Sequence, residues 1–249
     1  MIELPRVIGH RGAAAYAPEN TLAGLVLAAE QGVTWVEFDV RLTRDGVPVL
    51  MHDDDLGRTT NGSGPVANTS LKEIKRLDAG SWFDERFVGE EVPTLAEALD
   101  VIHDCGMTPN IEIKANPREH WHTGRVIGAA LDQLWPPGRL HPLVSSFKIR
   151  SLAGFKRARP DLPVALVIWN RPHYQWALGA RWLDCVSVHF SAELITDRQI
   201  EKVKRTGRRV VCYTVNSASQ AMELYARGVD AVISDTPNSI LAVANAGPE

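Results

Sequence analysis

A chain of 249 residues suits one large α/β barrel or two small domains, and either would bury a sizeable core. Its 27 basic and 30 acidic residues leave a net charge of -3, which excludes an overall basic field for nucleic acid or an anionic membrane, so any bound anion must be held by local groups. Cys105, Cys185 and Cys212 are odd in number and widely spaced, two of them in apolar runs, and read as reduced core thiols. The N-terminal stretch lacks a charged leader followed by an apolar run and a cleavage site, and no stretch is long enough to span a bilayer. The expectation is a cytoplasmic protein with neither secretion nor membrane insertion.

In chain order, Arg6 to His10 reads as a short buried strand ending in the polar group His10, Arg11, Gly12. Pro18 to Thr21 then signals a helix start, with Asn20 or Thr21 as cap, and Leu22, Leu25, Val26 and Ala29 recur at helical spacing up to a stop at Gly32. Next comes the stretch Val36 to Asp53. Alternation places Glu37 and Asp39 on one face of its first arm and Val36, Phe38 and Val40 on the other. Arg44, Asp45 and Gly46 form a turn, and the second arm, Pro48 to His52, returns antiparallel, because a parallel return needs about a dozen more residues. Pairing about that turn brings His52 level with Phe38, beside both carboxylates.

Residues 53 to 93 are rich in Asp, Gly, Asn and Thr and read as an insertion placed over the site, with one short helix capped by Ser70 and Glu73 and an aromatic pair, Trp82 and Phe83. Thr94 with Glu97 opens a helix towards Gly106. Strands are then expected at 109 to 114, 143 to 147, 164 to 168, 185 to 189, 209 to 215 and 231 to 234. Helices are expected near 121 to 135, 149 to 158, 173 to 181, 196 to 206 and 218 to 227, with one more at the end. Leaving out the return arm, this makes eight strand-helix units, the arithmetic of a single-domain α/β protein, a (β/α)8 TIM barrel with a small insertion after the His-Asp motif.

Such a barrel builds its site at the C-terminal ends of the strands. That rule selects His10 and Arg11, Glu37 and Asp39, and Glu112 and Lys114, the last two sharing a strand face. Three carboxylates suit a hard cation, Mg²⁺ or Ca²⁺, and the lack of thiolate ligands argues against structural zinc. A salt-bridge network of Arg11 and Lys114 with the acids is the plainer reading. Two imidazoles, His10 and His52, favour phosphoryl chemistry instead. His189, on one strand face with Ser187, either points into the mouth or is a hydrogen-bonded structural histidine. His103, His120, His122, His141 and His173 read as solvated. Asp53 to Asp55 either orient His52 or face water, the latter favoured for the last two. Tyr213, Trp82 and Phe83 are candidates for a leaving-group pocket, whereas Trp169 reads as packing; Asn216 and Asp235 are rim candidates.

These residues carry a resemblance. HRG at 10 to 12, PENT at 18 to 21, EFDV at 37 to 40, DG at 45 to 46, HDD at 52 to 54 and EIK at 112 to 114 resemble the glycerophosphodiester phosphodiesterases. SSF at 145 to 147, TVN at 214 to 216 and GVDAVISD extend the likeness over nearly the whole chain, closest to the compact cytosolic bacterial branch that serves glycerol phosphate uptake. The resemblance implies a TIM barrel with an insertion, cation ligands at Glu37, Asp39 and Glu112, paired catalytic histidines at His10 and His52, and phosphate-binding Arg11 and Lys114. It implies hydrolysis of a small-molecule glycerophosphodiester to sn-glycerol 3-phosphate and an alcohol; the expected assembly is a monomer or homodimer. Tyr213 stands where many relatives carry Trp, which bears on the leaving-group side. Rival readings are a lysophospholipase of C or D type and a noncatalytic glycerophosphate sensor.

Overall fold

The computed structural model describes residues 3–169 and 173–244, with the backbone alone for 173–175. Its strands are β1 (Val7–His10), β2 (Trp35–Leu42), β3 (Pro48–Leu50), β4 (Thr108–Ile113), β5 (Leu143–Ser146), β6 (Val164–Ile168), β7 (Ser187–Ser191), β8 (Arg209–Tyr213) and β9 (Ala231–Ser234). All but β3 are parallel, each pairs with the next, and the β1–β2 pairing closes them into an eight-stranded barrel. The helices are α1 (Leu22–Glu30), α2 (Leu71–Ile74), α3 (Leu95–Asp104), α4 (His120–Leu134), α5 (Ile149–Ala158), α6 (His173–Trp182), α7 (Asp197–Lys204), α8 (Ala218–Ala226) and α9 (Pro237–Ala244). All except α2 follow a barrel strand or the hairpin and wrap the outside. This is the expected TIM barrel.

Alternation along the strands divides the interior into layers. The outward residues Val36, Phe38 and Val40 of β2 join the large apolar cluster beneath the helices, where burial of each such side chain contributes about 1.5–3 kcal/mol. The inward Trp35 joins Ile8, Leu143, Ala165, Val211, Ala231 and Ile233 in a plug at the bottom of the barrel. Further along the inward faces the residues turn polar, with Asn110, Ser145, Ser187 and His189 all buried. The charged groups come last, at the strand ends.

The return arm pairs Val40 with Leu50 and Leu42 with Pro48, the register the turn required, and just past the strand end the Met51 N–H donates to the Asp39 carbonyl at 3.1 Å. Thr21, not Asn20, caps α1, its hydroxyl accepting from Gly24 N at 3.2 Å. Both expected capping boxes form, at Ser70 with Glu73 and at Thr94 with Glu97. Residues between β3 and α3 pack a small core of their own, in which Met51, Leu56, Val66, Ile74 and Val92 lie against Val49. Three strands differ from expectation by two residues: β3 and β8 end early, at Leu50 and Tyr213, and β7 starts and ends two residues later than the apolar run suggested, because Ser191 still pairs with Tyr213. Among the described residues, no helix is long and apolar enough to cross a membrane.

Candidate active site

Glu37 and Asp39 on β2 and Glu112 on β4 bring carboxylate oxygens within 4.8 Å of one another, and all three residues are buried. The parallel register pairs Asp39 with Glu112 and His10 with Glu37, which is why residues far apart in the chain share one level of the barrel. Two cations answer three acids. Lys114 Nζ lies 2.6 Å from Glu112 Oε1 and 3.3 Å from Asp39 Oδ1, and Arg11 Nε lies 3.1 Å from Asp39 Oδ2.

The electrostatics follow from that imbalance. Burial raises the Glu37 carboxyl well above its ordinary value, with repulsion from Asp39 and Glu112 adding to it. Burial also raises Glu112, opposed by Lys114 and reinforced by Asp39. Asp39 is the opposite case: burial alone would raise it, but Lys114 and Arg11, then His52 and the Asn20 amide, hold it well below the carboxylate range. An all-oxygen donor set with one carboxylate driven towards its protonated form fits a hard divalent cation, whose charge would take the place of that proton.

The loop after β1 sets the cations. Arg11 adopts a left-handed backbone, φ +50°, at a cost of order 1–3 kcal/mol, and its N–H donates to Glu37 Oε2 at 3.2 Å. Gly12 follows at φ +94°, where a Cβ would lie 2.5 Å from the Gly24 carbonyl, so only glycine fits. Arg11 Nη1 donates to Glu19 at 2.6 Å, and Asn20 exchanges two 3.0 Å hydrogen bonds with Asp39. Glu19 and Asn20, read from sequence as part of a helix start and of the PENT motif but given no role, thus support both charges of the site.

Each histidine carries an aspartate on Nδ1. His10 Nδ1 lies 2.6 Å from Asp235 Oδ1, and His52 Nδ1 lies 2.6 Å from Asp53 Oδ1. This leaves both Nε2 atoms for the mouth, and that of His10 is 3.8 Å from Glu37 Oε2. Burial lowers the His52 pKa, with Lys114 and Arg11 adding to the effect against Asp39 and Asp53. Asp235, a rim candidate by sequence, is therefore the partner of His10, and Asn216 holds it in turn through two hydrogen bonds of 2.7 and 2.8 Å.

A cavity of about 390 Å³ opens here, lined by His10, Arg11, His52, Glu112, Lys114 and Tyr213 among others. Tyr213 donates to the Ile168 carbonyl at 3.0 Å and packs edge-on against Phe147, whose ring also lies under Lys114 Nζ at 5.0 Å. His189 takes the second of its two readings, the hydrogen-bonded interior position, and not the mouth. Its ring is 1% exposed, lies 3.0 Å from Ser187 Oγ, is held near pKa 3 by burial, and does not line the cavity. The two-residue shift of β7 explains this, since Ser191 reaches the mouth in its place. Trp82 and Phe83 also stay outside the cavity, packing with Phe87, whereas Trp169 lines it with 59% exposure instead of serving the core. Asp54 pairs with Arg41, and Asp55 turns back on Gly57 N. His103, His122 and His141 are exposed, His120 is half-buried, and the His173 side chain lies outside the described residues.

A family model described as the glycerophosphoryl diester phosphodiesterase family matches residues 10–239. Bacillus subtilis YhdW is 35% identical over 242 residues, covering 94% of this chain and 96% of its own. A glycerophosphodiester phosphodiesterase of Caldanaerobacter subterraneus subsp. tengcongensis is 34% identical, covering 97% and 98%. Among solved structures, a phosphodiesterase of Oleispira antarctica in complex with the product sn-glycerol-3-phosphate superposes with a TM-score of 0.93 at 40% identity, covering 97% of each chain.

Proposed function

The chain belongs to the glycerophosphoryl diester phosphodiesterase family and is a glycerophosphodiester phosphodiesterase; from that premise we propose that it releases sn-glycerol 3-phosphate and an alcohol by cation-assisted histidine acid/base catalysis. The observation that carries the mechanism is the pair of aspartate-backed imidazoles, His10 with Asp235 and His52 with Asp53, beside a buried carboxylate triangle. Binding alone has no need of a matched proton acceptor and donor.

Arg11 and Lys114 neutralise the nonbridging oxygens of the diester, which keep their charge through the transition state. His10, its Nδ1–H engaged by Asp235, presents a basic Nε2 to the nucleophile, either water or the glycerol 2-hydroxyl. His52 donates the proton to the departing alkoxide, and the substrate's negative charge favours its protonated form against the burial that opposes it. Tyr213 lines the substrate cavity and packs against Phe147, the ring that borders the leaving-group side. Glu37, Asp39 and Glu112 would hold a divalent cation, Mg²⁺ or Ca²⁺, which supplies Lewis-acid stabilisation of phosphoryl charge when bound.

We place the enzyme in the cytoplasm as a monomer or homodimer, a single barrel domain with an insertion at about 53–93; free, buried Cys185 and Cys212 suit a reducing compartment. The test is release of glycerol 3-phosphate from glycerophosphocholine with Mg²⁺, with Ca²⁺ and after chelation, for wild type, Glu37→Gln and His10→Ala. Release that needs a cation and is lost in both variants is the expected result. Release undiminished by chelation removes the metal from the proposal.

A further inference from the structure

A second cavity of about 550 Å³ adjoins the mouth and shares Lys114, Phe147 and Trp169 with it. The rest of its wall includes Arg41, Asp54, His120 and Lys148. Arg41 is 6% exposed, and its Nε and Nη2 both donate to the His52 carbonyl, at 2.9 and 2.8 Å, while its buried Nη1 has no protein partner. Asp54, the acid in this wall, is already engaged by Arg41. Lys148 is exposed and has no ion-pair partner among the described residues.

The N-terminus of α5 reinforces the sign, whereas that of α4 begins at an acid. Lys148 is the N-cap of α5, Glu119 is the N-cap of α4, and no side chain caps either terminus. His120, the first residue of α4, stands in the wall with Nδ1 unpartnered. Uncapped N-termini carry partial positive charge and favour anions. The opposite flank of the mouth carries Glu193, a carboxylate that accepts from hydroxyls and repels a second anion. A diester held at Arg11 and Lys114 therefore has one acidic and one cationic flank.

We propose that the Arg41–Lys148 cavity is the subsite for the departing alcohol, and that it selects alcohols bearing an anionic group, a carboxylate or a phosphate. The inference rests on the phosphodiesterase reading above. It adds which substrates that site prefers.

The test compares kcat/KM for glycerophosphoserine and glycerophosphoethanolamine, whose alcohols differ by one carboxylate. A second pair, glycerophosphoglycerol with and without a terminal phosphate, separates a carboxylate preference from a general anion preference. The expected result is a preference of about tenfold for the anionic member of at least one pair, as one charge-assisted contact supplies. Lys148→Glu should abolish or reverse that ratio, Lys148→Ala should reduce it, and Lys72→Glu, the same charge change on exposed α2, should leave it intact. Equal kcat/KM within both wild-type pairs, or a preference that survives Lys148→Glu in folded protein, overturns the subsite. No release from any of the four esters overturns the phosphodiesterase reading itself.

Discussion

Asn20 and Asp39 hold each other through two hydrogen bonds running in opposite directions: Asn20 Oδ1 accepts from the Asp39 N–H, and Asn20 Nδ2 donates to Asp39 Oδ2, both at 3.0 Å. Asn216 and Asp235 repeat the exchange with the same separation of 19 residues. One clamp fixes a carboxylate of the acidic triangle, the other the partner of His10. Asn20→Ala leaves a buried charge short of a donor, and loss of such outer support costs about 10–100-fold in activity or cation affinity. Asn20→Asp should cost more, because it sets a new carboxylate against Asp39. Steady-state kinetics and cation titration calorimetry check both, and wild-type behaviour in Asn20→Ala would show that the clamp is dispensable.

The division of labour between the histidines is open to a leaving-group test. Loss of either imidazole should reduce turnover of an alkyl diester by about 10²–10⁴-fold. A nitrophenyl ester needs little protonation of its leaving group, so it should restore much of the activity of His52→Ala and little of that of His10→Ala. Equal rescue overturns the assignment, and rescue of His10→Ala alone reverses it.

The barrel was legible in the sequence because short apolar runs and helical spacing alternate eight times, and the hairpin register because its turn leaves no room for a crossover. The carboxylates and histidines were legible because strand alternation aims them at one end. What pattern could not supply is where a strand stops: β7 ends two residues later than its apolar run, which leaves His189 in the interior and brings Ser191 to the mouth. Nor does a local reading tell a helix start from a site residue. Glu19 and Asn20 sit where capping residues belong, and only their long-range partners Arg11, Arg58 and Asp39 show what they do. Asp235 was visible only as a rim acid, since its contact with His10 spans 225 positions.

Arg58 links the insertion to both halves of the site. Its Nε donates to Asp53 at 2.5 Å, and its Nη1 and Nη2 donate to Glu19 at 2.7 and 2.8 Å. The Arg58 hydrogen bond is the main reason that Asp53 is held down to about 2, against burial and with help from His52. In Arg58→Met the Asp53 carboxylate has only His52 to serve, which favours the imidazolium. A general acid acts when protonated, so kcat/KM falls as pH rises through the His52 pKa, which burial places below 6.5 in the wild type. That descending limb should move to higher pH in Arg58→Met. A pH profile with an unmoved limb would reduce Arg58 to a structural tie.

Glu37 sets catalysis against stability. Its raised pKa means that the folded chain binds a proton there, above the ordinary 4.5, where the unfolded chain has lost it. In that window the folded state holds more protons, so this group's contribution to stability declines as pH rises. Asp39 has the opposite sign: its depressed pKa contributes stability that is present above its ordinary value of 3.8 and is lost as pH falls towards the folded value. Glu37→Gln removes the charge that burial penalises while keeping the side chain's shape. Cation-free protein at about pH 8 should therefore melt higher in the variant, by about 2–4 °C for each kcal/mol recovered. Addition of Mg²⁺ or Ca²⁺ should raise the wild-type melting temperature, since a ligand that binds only the folded state stabilises it, and should do far less for Glu37→Gln. A variant that melts lower than wild type without cation would mean that Glu37 is fully neutralised by Arg11 and Lys114, and the case for a cation in the triangle would lose its electrostatic ground.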